Sequence, residues 1–401
     1  MKNKIKIAMV VAETAPIPDV HGGGAERLVT MLINQNEVNQ RVNFIVASKY
    51  DKQAKELSNK YKLTKFIYVQ NNRFVVKIFN FFVRIINLRF NKKLKKHGYY
   101  DVIANKIDSD CDIIIDQNGY CNEIGFLSDR FGKKRILAHI HWMVNPSQRH
   151  IEDCYGGVIG VSYFITNYWL ENSKKNSVEG LTVYSAVDEK RFLTKSNDES
   201  CSSILNKYRI LETDFVFVYC GRLHAQKGVK ELIQAFIQLN LDNCKLLIVG
   251  GSYLKNSSKT DYETEIRKLA EKHKNIIFTG FVNNEELCPI YNIADVQVIP
   301  TLTEEAAGLV AIEGLYCGLP IIATKSGGLP EYLDDQCSII VDKGINVVNN
   351  LASAMKLLYV NGEKREKMSR AAFSRAKLYT QEKFYNDFVD TVEHYMKTKG
   401  F

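Results

Sequence analysis

Proline and tryptophan are scarce in this chain of 401 residues, 7 and 2 in number, and no run of about 18 uninterrupted apolar residues occurs. The first scarcity argues against Pro-rich linkers, and the missing run argues against a membrane-spanning helix. The nine cysteines, an odd number, contain no Cys-x-x-Cys pair, which argues against a structural zinc or a disulfide framework and fits a reducing, cytoplasmic setting. At the start, MKNKIKIAMVVAE has a basic beginning, but its apolar run stops at Glu13 without a small-residue cleavage site. It reads as a first buried strand rather than a signal peptide. Acidic residues are missing altogether between Arg73 and Lys96, where eight Lys or Arg mix with Phe74, Phe79, Phe81, Phe82, Ile85 and Ile86. On a helical projection Arg73, Lys77, Arg84, Lys92 and Lys95 share a face, as a helix lying on an anionic membrane surface requires.

What is present is a folding chain. It is 45% hydrophobic and longer than one core usually supports, so two domains are expected. The runs IKIAMVVA, VNFIVAS, DIIID, RILAHIH, GGVIGVS and LTVYSAVD, then FVFVYCG, CKLLIVGG, NIIFTGF, DVQVIPT and LPIIAT, alternate with helical stretches. Continuous rather than alternating hydrophobicity marks strands covered on both faces, hence an α/β fold of two doubly wound, Rossmann-like domains. The expected boundaries are 1–190 and 191–380, the join falling where VDEKRF meets TKSNDESCSS, with a closing helical segment 381–401. The formal charge of +9 is uneven: residues 1–190 hold 28 Lys plus Arg against 19 Asp plus Glu, residues 191–401 hold 26 against 26. A basic first half suits an anionic partner.

Ligands in doubly wound sheets bind beyond the carboxyl ends of strands, and the polar motifs of the second half all follow strands. In EEAAGLVAIEGLYCGLPIIATKSGGLP, Glu305 and Glu313 bracket the turn Gly308-Leu309. That spacing predicts one carboxylate at the mouth of a loop and the other about two helical turns inside. The backbone N–H groups of Gly308, Leu309 and Val310 fall at a helix start, which suits phosphate, while carboxylates accept hydrogen bonds from sugar hydroxyls. A nucleotide sugar offers both groups. Arg222 and Lys227, in Gly221-Arg222-Leu223 through Lys227-Gly228, can converge on a diphosphate.

These residues, with Gly318, Pro320, Gly327, Gly328, Pro330 and Glu331, resemble the donor-site signature of the family 4 retaining glycosyltransferases (glycosyl transferases group 1), of the bacterial surface-polysaccharide type. The resemblance is most specific from Phe215 to Glu331. It implies the GT-B architecture, two facing domains with the active site in the cleft between them and the last helix crossing back to the first domain. It also implies that Arg222 and Lys227 hold the diphosphate, Glu305 the sugar and Glu313 the ribose, and that no metal or other cofactor is needed. Val282, after Gly280, falls where the family's base-binding loop lies. One departure is Ala307, where the family usually carries an aromatic residue.

In the first half, Gly22-Gly23-Gly24 permits close backbone approach. Arg27 stands where a dinucleotide fingerprint needs its third glycine, and the resemblance favours Gly23 and Gly24 as a wall facing the donor phosphates. His141 closes the run RILAHIH where the family has a His contacting the donor sugar; His139 reads as structural, and Trp142 and Asn145 as shaping the acceptor side. Asp108-Ser109-Asp110 precedes a strand and reads as a solvated turn. The expectation is therefore a hexose or N-acetylhexosamine transferase, with Glu305, His141, Arg222 and Lys227 as catalytic residues, using a UDP-linked donor. Its acceptor would be a glycan or lipid-linked molecule such as capsule or lipopolysaccharide, reached at the inner membrane face, with no nucleic acid bound. The alternatives are a nucleotide-sugar epimerase or hydrolase on the same fold and a nucleic-acid or protein glycosylating enzyme.

Overall fold

Among the described residues, thirteen short β-rich segments build two parallel sheets. The computed structural model describes residues 4–13, 15–70, 81–83, 85–86, 89, 98–117, 122–149, 151–174, 178–193, 198–251, 260–283 and 286–401. The chain divides into two compact units, one of Met1–Tyr184 with Gln381–Phe401 and the other of Ser185–Thr380. The first join lies a few residues before the expected 190, because Val187 and Phe192 are already buried in the core of the second unit.

Unit 1 contains β1 (Lys6–Val11), β2 (Asn43–Lys49), β3 (Thr64–Val69), β4 (Ile113–Gln117), β5 (Ile136–Ile140), β6 (Gly157–Gly160) and β7 (Glu179–Thr182). They pair in parallel in the order β3-β2-β1-β4-β5-β6-β7. Four residues of β5 and all of β1 beyond Lys6 are fully buried apolar groups, as strands sandwiched between helices require. The strand order reverses between β1 and β4; the loop after β1 carries Gly23, and β4 ends at Gln117. The last helix, Gln381–Lys399, belongs to this unit. It buries Phe384, Tyr385, Phe388, Val392 and Tyr395, and Tyr385 donates to Asn36 Oδ1 at 2.6 Å on the first helix, Gly24–Asn39.

Unit 2 holds β8 (Phe215–Cys220), β9 (Cys244–Val249), β10 (Ile276–Gly280), β11 (Val296–Ile299), β12 (Ile321–Thr324) and β13 (Ser338–Val341), in the order β10-β9-β8-β11-β12-β13, again parallel. Alternation along β8 divides the core. Val216 and Val218 join Tyr291, Leu315 and Tyr332 on one face, while Phe217 and Tyr219 join Leu232, Ile233 and Met355 on the other. Here the order reverses between β8 and β11, so the loops 221–228 and 300–308 flank the switch point, where doubly wound sheets bind ligands.

Two strands were not expected, β3 and β13, and both are edge strands with interrupted burial. Most of the Arg73–Lys96 segment lies outside the described residues; of those described, Phe81, Phe82 and Ile85 are exposed and Val83 is buried. Among the described residues no helix is long and apolar enough to cross a membrane.

Candidate active site

In unit 2, close backbone approaches draw three loops together. Gly228 has φ +68° and lies so near Pro300 that a Cβ there would sit 1.9 Å from the Pro300 oxygen. Leu302 N donates to Gln226 O at 2.8 Å, and Thr301 Oγ1 donates to the same oxygen at 3.3 Å. Loop 221–228 is thereby stitched to loop 300–308. Gly327 does the same from β12: at φ +50°, an added Cβ would fall 2.3 Å from the Glu305 oxygen, which also accepts from Gly328 N at 2.8 Å.

This stitching brings Lys227 to Glu305. Their side chains pair at 2.5 Å (Nζ to Oε1), both partly exposed. Next to them Glu304 pairs with Lys343 at 2.7 Å and accepts from Gly327 N. Arg222 is exposed, its carbonyl accepting from Tyr219 Oη at 2.8 Å, and among the described residues its guanidinium contacts neither Lys227 nor Glu305.

The helix Leu309–Tyr316 begins after Gly308, whose oxygen accepts its first bond, from Ile312 N at 2.9 Å. The N–H groups ahead of Ile312 stay outside the helical ladder. Because the helix starts only at Leu309, Glu313 lies little more than one turn inside, not two. It is buried, and its Oε2 accepts from Tyr291 Oη at 3.0 Å. Burial pushes the Tyr291 hydroxyl well above its ordinary value, so it stays a donor at neutral pH. Burial and then the Glu313 charge push the Cys220 thiol up to about 12, which makes it a packing group rather than a nucleophile. Val282 packs on the same core as Leu309, Val310 and Ala307.

In unit 1, Gly23 caps the helix Gly24–Asn39, and a Cβ on it would meet Glu26 Oε2 at 2.0 Å. A carboxylate thus already sits at that helix start, the end that favours negative charge. β5 stops at Ile140, so His141 is the first residue beyond it rather than its last. His139 Nδ1 and His141 Nε2 meet one atom, Gln117 Oε1 at the end of β4, at 2.9 and 3.0 Å. Burial pushes His141 down to about 4; burial and then the neighbouring His141 ring hold His139 well below its ordinary value. Gln117 was not singled out from the sequence, since an isolated Gln at a strand end carries no local signal. Nor was Asp116, fully buried, whose two oxygens accept from Tyr100 Oη at 3.1 Å and Tyr155 Oη at 2.6 Å.

The remaining candidates fall elsewhere. Asp108 pairs with Lys65 at 2.8 Å and Asp110 with Lys6, at the amino end of β4 and partly or fully exposed. Trp142 is exposed with the Arg149 guanidinium 5.2 Å from its ring centre, and Asn145 donates to Asn172 at 2.7 Å.

Two parallel doubly wound units with a charged, glycine-stitched switch point define a class of α/β proteins that bind ligands at such points. Residues 202–375 match the family Glycosyl transferases group 1. Among curated proteins, the chain is 26% identical over 213 residues to the lipopolysaccharide 1,2-N-acetylglucosaminetransferase of Salmonella typhimurium, covering 52% of this chain and 54% of that one. It is 28% identical over 228 residues to a GDP-mannose-dependent monoacylated alpha-(1-6)-phosphatidylinositol monomannoside mannosyltransferase of Corynebacterium glutamicum, covering 53% and 58%. The chain thus spans little more than half the length of these relatives. Among solved structures, a Rickettsia africae glycosyltransferase superposes with a TM-score of 0.74 at 18% identity, covering 98% of this chain and 99% of that one. Anabaena HepE in complex with UDP and glucose gives 0.72 at 16% identity, covering 97% and 100%. The fold is GT-B.

Proposed function

We propose that this protein is a metal-independent, retaining glycosyltransferase that moves a hexose or N-acetylhexosamine from a UDP-linked donor to a surface glycan such as lipopolysaccharide or capsule. The observation that carries the reading is the Lys227–Glu305 pair beside the helix start at Gly308, inside the matched domain. A diphosphate competes with Glu305 for the Lys227 ammonium, and its capture frees the carboxylate to accept from sugar hydroxyls. Arg222, exposed on the same loop, adds a planar fork of donors. Glu313, held by Tyr291, accepts from ribose hydroxyls, and Val282 lies by the base. Charge building on the departing diphosphate is then met by fixed cations and backbone N–H groups, so catalysis is largely positioning and electrostatic stabilisation. In unit 1, Gly23 and Gly24 line the donor side and His141 contacts the sugar.

The lipopolysaccharide and phosphatidylinositol-mannoside enzymes among the relatives support a glycan or glycolipid acceptor, and the basic residues of 73–96 support docking on an anionic inner membrane face, without nucleic acid. The test is thermal unfolding across nucleoside diphosphates and their sugars without added metal. UDP and one UDP-sugar should stabilise selectively, by about 2.7 kcal/mol at a hundredfold excess over Kd. No shift with any nucleotide would remove the donor site, and a shift with GDP alone would replace the base.

A further inference from the structure

The group around Gln117 has a logic that the transfer chemistry alone does not require. A carboxamide oxygen only accepts, so both ring nitrogens that reach Gln117 Oε1, at 2.9 and 3.0 Å, must be N–H donors. With the amide oxygen facing the rings, and the amide Nε2 buried without a partner among the described residues, both rings are set. His139 is protonated on Nδ1, leaving Nε2 as a sealed acceptor without a partner, and His141 is protonated on Nε2. A second proton on His139 would create a buried cation with an orphan donor, and the two ring centres lie only 4.3 Å apart, too close for two charges. His141 differs in one respect: it is only partly buried, and nothing among the described residues hydrogen-bonds to its Nδ1.

We propose that Gln117 is a positioning residue that locks His141 in the neutral Nε2–H tautomer and so presents its Nδ1 as a bare acceptor for a substrate hydroxyl. This rests on the transferase reading for the identity of the hydroxyl, but not for the tautomer. Among the described residues no charged group acts on the array to favour the imidazolium. The Asp116 carboxylate, next in sequence, is turned to Tyr100 and Tyr155. The helix Gln381–Lys399 presents Phe388 to His139, with ring centres 5.7 Å apart, while its Lys383 and Asp387 pair with each other at 2.7 Å. Burial acts in the same direction on both rings. An imidazolium would offer a donor at Nδ1 where the neutral ring offers an acceptor, so protonation would reverse what the site recognises.

The experiment is long-range proton–nitrogen NMR on the full chain with 15N-labelled histidine, the His141 signal being assigned by its loss in His141→Asn. The wild-type ring should hold the Nε2–H form with no titration across the range near pH 6.5 where a free histidine changes charge. In Gln117→Glu the carboxylate should raise its pKa and make it cationic at neutral pH, and in Gln117→Leu the tautomer should become mixed. If a sugar hydroxyl is the partner, kcat in Gln117→Glu falls about tenfold or more at neutral pH and recovers as pH rises, with donor KM nearly unchanged. A wild-type His141 carrying its proton on Nδ1, or titrating like a free histidine, overturns the lock whether or not the protein transfers sugar. The expected tautomer with unaltered kcat in both variants overturns the positioning role and leaves the transferase reading standing. Failure of wild-type transfer with the tautomer intact counts against the transferase reading alone.

Discussion

In unit 2 the candidate groups are charged, paired and partly open to solvent: Lys227 with Glu305, Lys343 with Glu304. In unit 1 they are neutral or sealed: His139 and His141 on one amide oxygen, Asp116 under two tyrosine hydroxyls. The two arrangements have different costs. An exposed ion pair contributes about 0–1 kcal/mol and can be given up to a ligand at little loss, whereas a buried polar group left without its partner costs about 1–3 kcal/mol. Unit 2 is thus built to exchange partners and unit 1 to hold a fixed pattern of donors and acceptors.

The largest effect should come from the exchangeable side. Glu305→Ala should lower kcat/KM for transfer by about 10²–10³-fold, the range seen when one preorganised electrostatic group is removed. Melting temperature should hardly move, and a large drop in melting would make Glu305 structural and erase the contrast. Next is the stitch beneath it. Gly228→Ala places a Cβ against Pro300 at positive φ and should cost about 2–4 kcal/mol in chemical denaturation of unit 2, with donor binding lost in parallel. In unit 1, Tyr155→Phe removes a donor from the buried Asp116 and should cost about 1.5–3 kcal/mol, more than any single loss from the Lys343–Glu304 pair.

The smallest effect is a pH dependence confined to the histidine array. His139 and His141 have folded-state values below the ordinary value near 6.5, so the folded protein binds fewer protons than the unfolded chain below that pH. Their contribution is present above about pH 6.5 and is lost as pH falls towards about 4. Between pH 7 and 6 the loss should be on the order of 1 kcal/mol. Calorimetry of wild type against His139→Gln should show a flatter profile in the variant; identical profiles would mean that the buried ring is not held neutral.

The same contrast explains what could be read from the chain. The unit 2 site was legible because its parts lie in short contiguous motifs, each just after a continuous apolar strand, and the strands follow from the apolar runs themselves. Strands β3 and β13 escaped although the other edge strands, β7 and β10, were read; their own burial is broken, as at Lys65 and Ile340. The depth of Glu313 was overstated because the start of its helix depends on the loop conformation at Gly308. The direct Lys227–Glu305 contact was not visible, since it depends on a glycine in one loop meeting a proline oxygen in another. Gln117 and Asp116 were silent for a similar reason: their partners come from other elements, β5, the β6 approach and the helix Tyr99–Lys106, far away in sequence.

The last helix also sets an order of events during synthesis. The residues of unit 2 are all present in the nascent chain by Thr380, yet unit 1 lacks Gln381–Phe401 until that later segment is made. Until then the surface that will receive Phe384, Tyr385, Phe388 and Tyr395 stays uncovered, and Asn36, Arg41 and Glu179 wait for Tyr385, Asp390 and Lys399. A chain made only as far as Thr380 would carry the residues of unit 2 beside an incomplete unit 1, whose exposed apolar surface invites chaperones or aggregation. Truncation within Gln381–Lys399 would therefore be felt in unit 1, whose remaining residues all precede unit 2.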